Sequence, residues 1–145
     1  MGIVAAAIAV LMTAMRPPQE GGPQPLVVIY DVKLLKNDTL AYQACINMTK
    51  ALYEDGALST DKPVIYGNTS LPYLIYVIIY TPTGGTVGGV QILSPTTNTI
   101  IKVYTGQQNL LRGREAVCLF ADKPYSGAKI KFVGASTTCV ICNLQ

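Results

Sequence analysis

The polarity of the chain changes character twice. Residues 1–15 carry no charge and no strong turn former, and the run stops at Arg16-Pro17-Pro18. Residues 16–25 are polar and rich in Pro and Gly, the composition of an extended linker that holds two elements apart. From Leu26 onward, alternation dominates. Residues 26–35 place Val28, Tyr30, Val32 and Leu34 on one face and Asp31 and Lys33 on the other, which predicts a strand. A helix follows over 38–54. Leu40, Ala44, Met48, Ala51 and Leu52 recur at helical spacing, Asn37 or Asp38 caps the start and Gly56 closes the end. Its apolar stripe belongs on a sheet or over an open end of one.

The remaining segments read as short strands separated by turn signals. Residues 63–66 form one. Residues 73–80 form the strongest, apolar on both faces, which places it centrally in a sandwich or beneath a neighbouring subunit. Gly84-Gly85 and Gly88-Gly89 predict a hairpin turn into a strand over 90–93, and another strand spans 99–105. A loop over 106–114 leads to a strand over 116–121. In 128–133, Ala128, Ile130 and Phe132 alternate with Lys129 and Lys131, and a last strand covers 138–143. Seven or eight short strands and one helix predict a mainly β chain: an antiparallel sandwich or jelly-roll-like domain over 26–145, with an apolar N-terminal extension.

Periodicity leaves the state of residues 1–15 open. As a helix, Val4, Ile8, Leu11 and Met15 share a face; as a strand, Val4, Ile8, Val10 and Met12 do, with Ala5, Ala7 and Ala9 opposite. A secretory leader would carry a basic n-region, which is missing here. A fifteen-residue helix rises only ~21 Å against a hydrocarbon core of ~30 Å, and Pro17-Pro18 halts its continuation.

Composition sharpens this picture. In 145 residues, only 13% are charged and 50% are apolar. So few charges would scarcely clothe a monomer, which points to an assembly or a membrane. The net charge of +3 is dispersed, with neither a basic stripe nor interleaved aromatics, so nucleic acid is not an expected partner. Histidine is absent, which removes the commonest general base and metal ligand.

Cys45, Cys118, Cys139 and Cys142 form an even set, which in a short chain implies two disulfides and an oxidising compartment. Residues 139 and 142 would face opposite ways in a strand, so the favoured pairing is Cys118 with Cys139 and Cys45 with Cys142. A zinc site would need all four thiolates, and redox work by Cys139-Val-Ile-Cys142 would want the motif at the start of a helix. Sequons at Asn37, Asn47 and Asn68 are candidate glycosylation sites and suit export. Glu54, Asp55 and Asp61 lack the spacing of a calcium loop and read as a solvated helix end. The stretch 84–89 lacks the Lys of a phosphate loop, and Arg112-Gly-Arg114 reads as a solvated loop tip. No catalytic constellation emerges; neither enzyme activity nor a cofactor is expected.

An apolar N-terminal segment, a short polar linker and a β-sandwich together resemble pilins polymerised by donor-strand complementation, namely archaeal thread and bundling-pilus subunits and related bacterial biofilm matrix fibre proteins. The resemblance rests on layout rather than on a motif. It implies an extracellular, cell-surface homopolymer for adhesion or biofilm formation, in which Val4, Ile8, Val10, Leu11 and Met12 contact the next subunit head to tail. The doubly apolar character of residues 73–80 is expected to place that strand near the accepting edge. Rival readings are a type IV-like pilin or membrane-anchored surface domain with 1–15 helical, a viral coat protein, and a secreted enzyme or ligand-binding domain.

Overall fold

The computed structural model describes residues 24–36 and 41–142. The apolar segment 1–15, most of the linker, and the two candidates for the helix start, Asn37 and Asp38, lie outside them. Eight strands and one helix follow in the order β1 (Leu26–Lys36), α1 (Ala41–Glu54), β2 (Val64–Tyr66), β3 (Tyr73–Thr81), β4 (Gly85–Leu93), β5 (Ile100–Leu110), β6 (Gly113–Ala121), β7 (Lys129–Val133) and β8 (Ser136–Cys139). They build a five-stranded sheet, β2-β6-β3-β1-β8, packed on a three-stranded sheet, β5-β4-β7. The predicted sandwich is thus present. The pairing is antiparallel except at the two margins of the larger sheet, where β1 with β8 and β2 with β6 run parallel.

Strand alternation explains how β3 is buried on both faces. Ile75, Val77 and Ile79 point between the sheets and join Val27, Val90, Ile92, Val117 and Phe132 in the main core. Leu74 and Tyr76 point the other way, with Ile78, and are roofed by α1 together with Cys118 and Phe120. The second face is therefore covered by the chain's own helix rather than by another subunit. β3 also sits in the centre of the sheet, paired with β1 on one side and β6 on the other. With both sides occupied, β3 is not itself a sheet edge.

Helix α1 buries Ala41, Cys45 and Thr49, with Ala44, Met48 and Leu52 packed beside them, whereas Ala51 is exposed. The Thr49 hydroxyl donates to the Cys45 carbonyl at 2.7 Å, so its single proton is committed. The Tyr76 phenol, 2.9 Å away, must then donate to Thr49, which joins helix to sheet through a satisfied polar pair. At the helix end Gly56 takes φ 82°, and Ala57 N–H donates to the Leu52 carbonyl.

Three local expectations change. In β1 a bulge between Ile29 and Asp31 switches the parity, so Val27 and Ile29 face the core before it and Val32 after it. Residues 85–89 are strand rather than turn, with a bulge between Val87 and Gly89. Gly89 has φ 147°, and a Cβ there would collide with the Tyr104 carbonyl; the glycine serves close backbone approach. Residues 106–110 continue β5 rather than forming a loop, and the chain reverses over Leu111 and Arg112.

The disulfides are Cys45–Cys118 and Cys139–Cys142, not the pairing favoured from the sequence. Cys45 on the buried face of α1 lies over Cys118 on the outward face of β6, at a Cα separation of 6.3 Å. Strand β8 ends at Cys139, so alternation no longer governs Cys142, and the bend returns it to a Cα separation of 5.6 Å. The two disulfides suit an oxidising compartment. With every thiol committed in two separate places, the four cysteines cannot form a zinc site.

Candidate assembly surface

Sheet edges differ in what they offer a further strand. In the larger sheet β2 has only three residues and β8 four, mostly Ser and Thr. In the smaller sheet β7 has five residues, two of them lysines; Lys129 Nζ donates to Asn98 Oδ1 at 3.1 Å. Short length and edge lysines both discourage strand addition. β5 is not short, and the one lysine of its first half, Lys102, lies with its ammonium 5.4 Å from the centre of the Tyr104 ring. It is eleven residues long, and among the described residues no strand pairs with its outer edge.

The first half of β5 exposes Ile100, Ile101 and Val103 at 48%, 47% and 47% of their surfaces. They belong to a short set of large apolar side chains left in solvent, and here three of them cluster within four positions. Inward, Tyr104 is buried, and its phenol donates to the Phe120 carbonyl at 2.8 Å. Burial and the neighbouring Tyr125 and Asp122 raise its pKa, so it stays a neutral donor. The Tyr66 phenol donates to the Gly106 carbonyl at 3.0 Å. These two tyrosines tie β5 to the larger sheet and hold its free edge in place.

A pocket of about 300 Å³ lies beside this edge, lined by Leu71, Val103, Phe120, Asn68 and Lys102 among others. A second, of about 630 Å³, lies where the chain enters the sandwich, between residues 24–26 and 82–86. Pro25 there touches the site of Gly85, and Gly85 pairs with Leu110. Residues 24 and 25 therefore lie at the Leu110 end of the β4–β5 pair, about two strand spacings, or ~10 Å, from the position beside the outer edge of β5.

The turn between β5 and β6 is held by an unusual buried acid. Glu115 is 3% exposed, and its Oε2 accepts from Leu111 N–H at 2.7 Å. Thr81 Oγ1 donates to the carbonyl of the same Leu111. Burial raises the Glu115 pKa above the ordinary carboxylate range, and the Leu111 hydrogen bond offsets this only in part.

The other residues singled out from the sequence are scattered. Asn47 is exposed on α1, accepting from Gln43 at 3.0 Å; Asn68 is exposed in the loop after β2, accepting from Ser70 N–H at 3.0 Å. Arg112 is exposed at the β5–β6 reversal, whereas Arg114 opens β6 with its guanidinium 5.3 Å from the Tyr30 ring. Among the described residues no three Cys, Asp or Glu side chains gather as metal ligands, and no helix is long and apolar enough to cross a membrane. The residues that sequence reasoning missed are Ile100, Ile101 and Val103. The available signal was two consecutive isoleucines and a valine flanking Lys102, too many apolar groups for a half-buried strand. No protein-family model matches the chain, and neither a curated protein nor a solved structure is significantly similar to it.

Proposed function

We propose that the chain is the structural subunit of an extracellular filament, in which residues 1–15 of one subunit add as a strand to the β5 edge of the next. The observation that carries this reading is that edge: eleven residues, unpaired among the described residues, with Ile100, Ile101 and Val103 left about half exposed. An open edge of this kind is a template for another strand. The chain also supplies a segment of matching chemistry, since 1–15 is uncharged and apolar. About ten extended residues reach ~33 Å, close to the ~36 Å of an eleven-residue strand. Val4, Ile8, Val10 and Met12 would lie along one face of the added strand and Leu11 on the other.

A segment that leaves one subunit and enters an identical one makes a head-to-tail contact that does not close, so it propagates as a fibre. Its role is mechanical and involves no turnover, cofactor or nucleic acid; surface or cell contacts, as in adhesion or biofilm formation, would be made by the finished fibre. The linker at 16–25 would set subunit spacing. The two disulfides and the exposed sequons at Asn47 and Asn68 are consistent with export.

Deleting residues 1–15 tests the reading. The truncated protein should remain folded and monomeric by sedimentation velocity, and the isolated peptide should bind it and raise its Tm. Filaments that assemble as readily from the truncated chain would rule the proposal out.

A further inference from the structure

The two disulfides differ in each property that governs thiol–disulfide exchange. Cys45 and Cys118 are fully buried beneath α1 and close a sequence separation of 73. Cys139 and Cys142 close a separation of three at the end of an edge strand, and both are only partly buried. Val140 and Ile141, between them, are 59% and 48% exposed. An attacking thiolate must reach a sulfur directly, so access decides which disulfide reacts while the protein stays folded.

We infer that Cys139–Cys142 is a thiol–disulfide exchange site, the disulfide that a dithiol reductant opens in the native protein. One thiolate of the dithiol attacks a sulfur of the pair, the S–S bond breaks, and the other cysteine departs as a thiolate. The second thiol of the dithiol then attacks the mixed disulfide and releases the first cysteine. Two electrons pass to the protein, the dithiol leaves as a disulfide, and its two protons pass to the cysteine thiolates. The class of reductant follows from the short separation. After attack by a monothiol, the freed cysteine is held three residues from the mixed disulfide and expels the monothiol before a second molecule arrives. A dithiol resolves the intermediate internally and escapes that reversal.

Opening this ring has a local structural consequence. Val140 N–H, inside it, donates to the Ile29 carbonyl at 2.8 Å, the last bond in the parallel pairing of β8 with β1. With the ring open, only the four residues of β8 hold this margin of the sheet. The inference is independent of whether the chain polymerises.

The test treats the intact folded chain with dithiothreitol at neutral pH, quenches with an alkylating reagent at intervals, and locates the label by peptide mass spectrometry. Cys139 and Cys142 should be labelled together, roughly 100-fold faster than Cys45 and Cys118, whose attack must await an opening of the core. Glutathione at equal thiol concentration should leave little label. In the reduced protein the Val140 amide should exchange hydrogen faster while core amides keep their protection. Cys139→Ser combined with Cys142→Ser should keep its far-UV circular dichroism and lose the fast labelling, leaving only the slow labelling of Cys45 and Cys118. Equal reduction rates for both disulfides, no reduction short of unfolding, or equal efficiency of glutathione would overturn the assignment.

Discussion

Placing lysine at both Ile101 and Val103 perturbs the proposed accepting edge with only a modest consequence for the subunit itself. Each side chain is 47% exposed, so roughly half of it remains to be removed from water when a strand is added. Full burial of such a side chain is worth ~1.5–3 kcal/mol, and half of that is about 1 kcal/mol at each position. The double substitution should therefore weaken association by about 2 kcal/mol or more, roughly 30-fold, before any repulsion between the new charges is counted. Folding should lose up to about 1 kcal/mol per site, because the other half of each side chain is already buried within the subunit, although the lysine stem recovers part of that. Sedimentation velocity and negative-stain microscopy read the association, and thermal denaturation of the subunit reads the folding. The expected result is a rise of at least an order of magnitude in the concentration at which filaments appear, with only a modest fall in Tm. Filaments forming at the original concentration with no more than that fall in Tm would show that the β5 edge is not where subunits join. A large fall in Tm would show that these side chains support the subunit's own fold.

Other substitutions probe the interior. Thr49→Val leaves the buried Tyr76 phenol without its acceptor and should cost ~1–3 kcal/mol in urea denaturation; Tyr76→Phe on top of it should recover much of that loss. Replacing Cys45 and Cys118 together by alanine releases a separation of 73 residues, for which loop entropy predicts a loss of about 4.5 kcal/mol, against about 2 kcal/mol for Cys139 and Cys142. Equal losses from the two pairs would refute that ranking. For Glu115 the folded-state pKa is raised above the ordinary 4.5, so below that value both states are protonated and there is no penalty. Between it and the raised value, the native state keeps a proton that the unfolded state has released, and stability falls as pH rises. Glu115→Gln keeps an acceptor for Leu111 N–H without the buried charge; its Tm should exceed that of the parent at neutral pH and converge with it in acid. A Tm difference independent of pH would exclude this account.

What was legible in the sequence was what a side chain decides beside its immediate neighbours. The strand at 128–133 announced itself because inward and outward residues alternate with the backbone pleat, and that at 73–80 by an unbroken run of β-branched, aromatic and other apolar residues. The helix stripe through Ala44, Met48 and Leu52 did so by its period, and it predicted that the helix would lie on a sheet. Low charge pointed to a further buried surface, and the sequence holds a segment at 1–15 of the chemistry such a surface would take. Where glycine or polar residues interrupt the pattern, at 85–89 and 106–110, local signals pointed to turn and loop, although both segments are paired strand. Their strand state comes from partners distant in the sequence rather than from their own side chains.

The tertiary structure alone decided which face of β3 meets α1, how the cysteines pair and which edge stays open. Each of these depends on the order of strands across the sheets, a property of long-range contacts that leaves no period in the chain. One extra residue at the bulge after Ile29 inverts a face. A bend after Cys139 reverses a disulfide expectation founded on strand alternation. Among the described residues β5 lies at the margin of its sheet because β4 is flanked by β5 and β7. The sequence by itself determined that apolar surface would be in excess; only the packing of the two sheets decided that it would gather at Ile100, Ile101 and Val103.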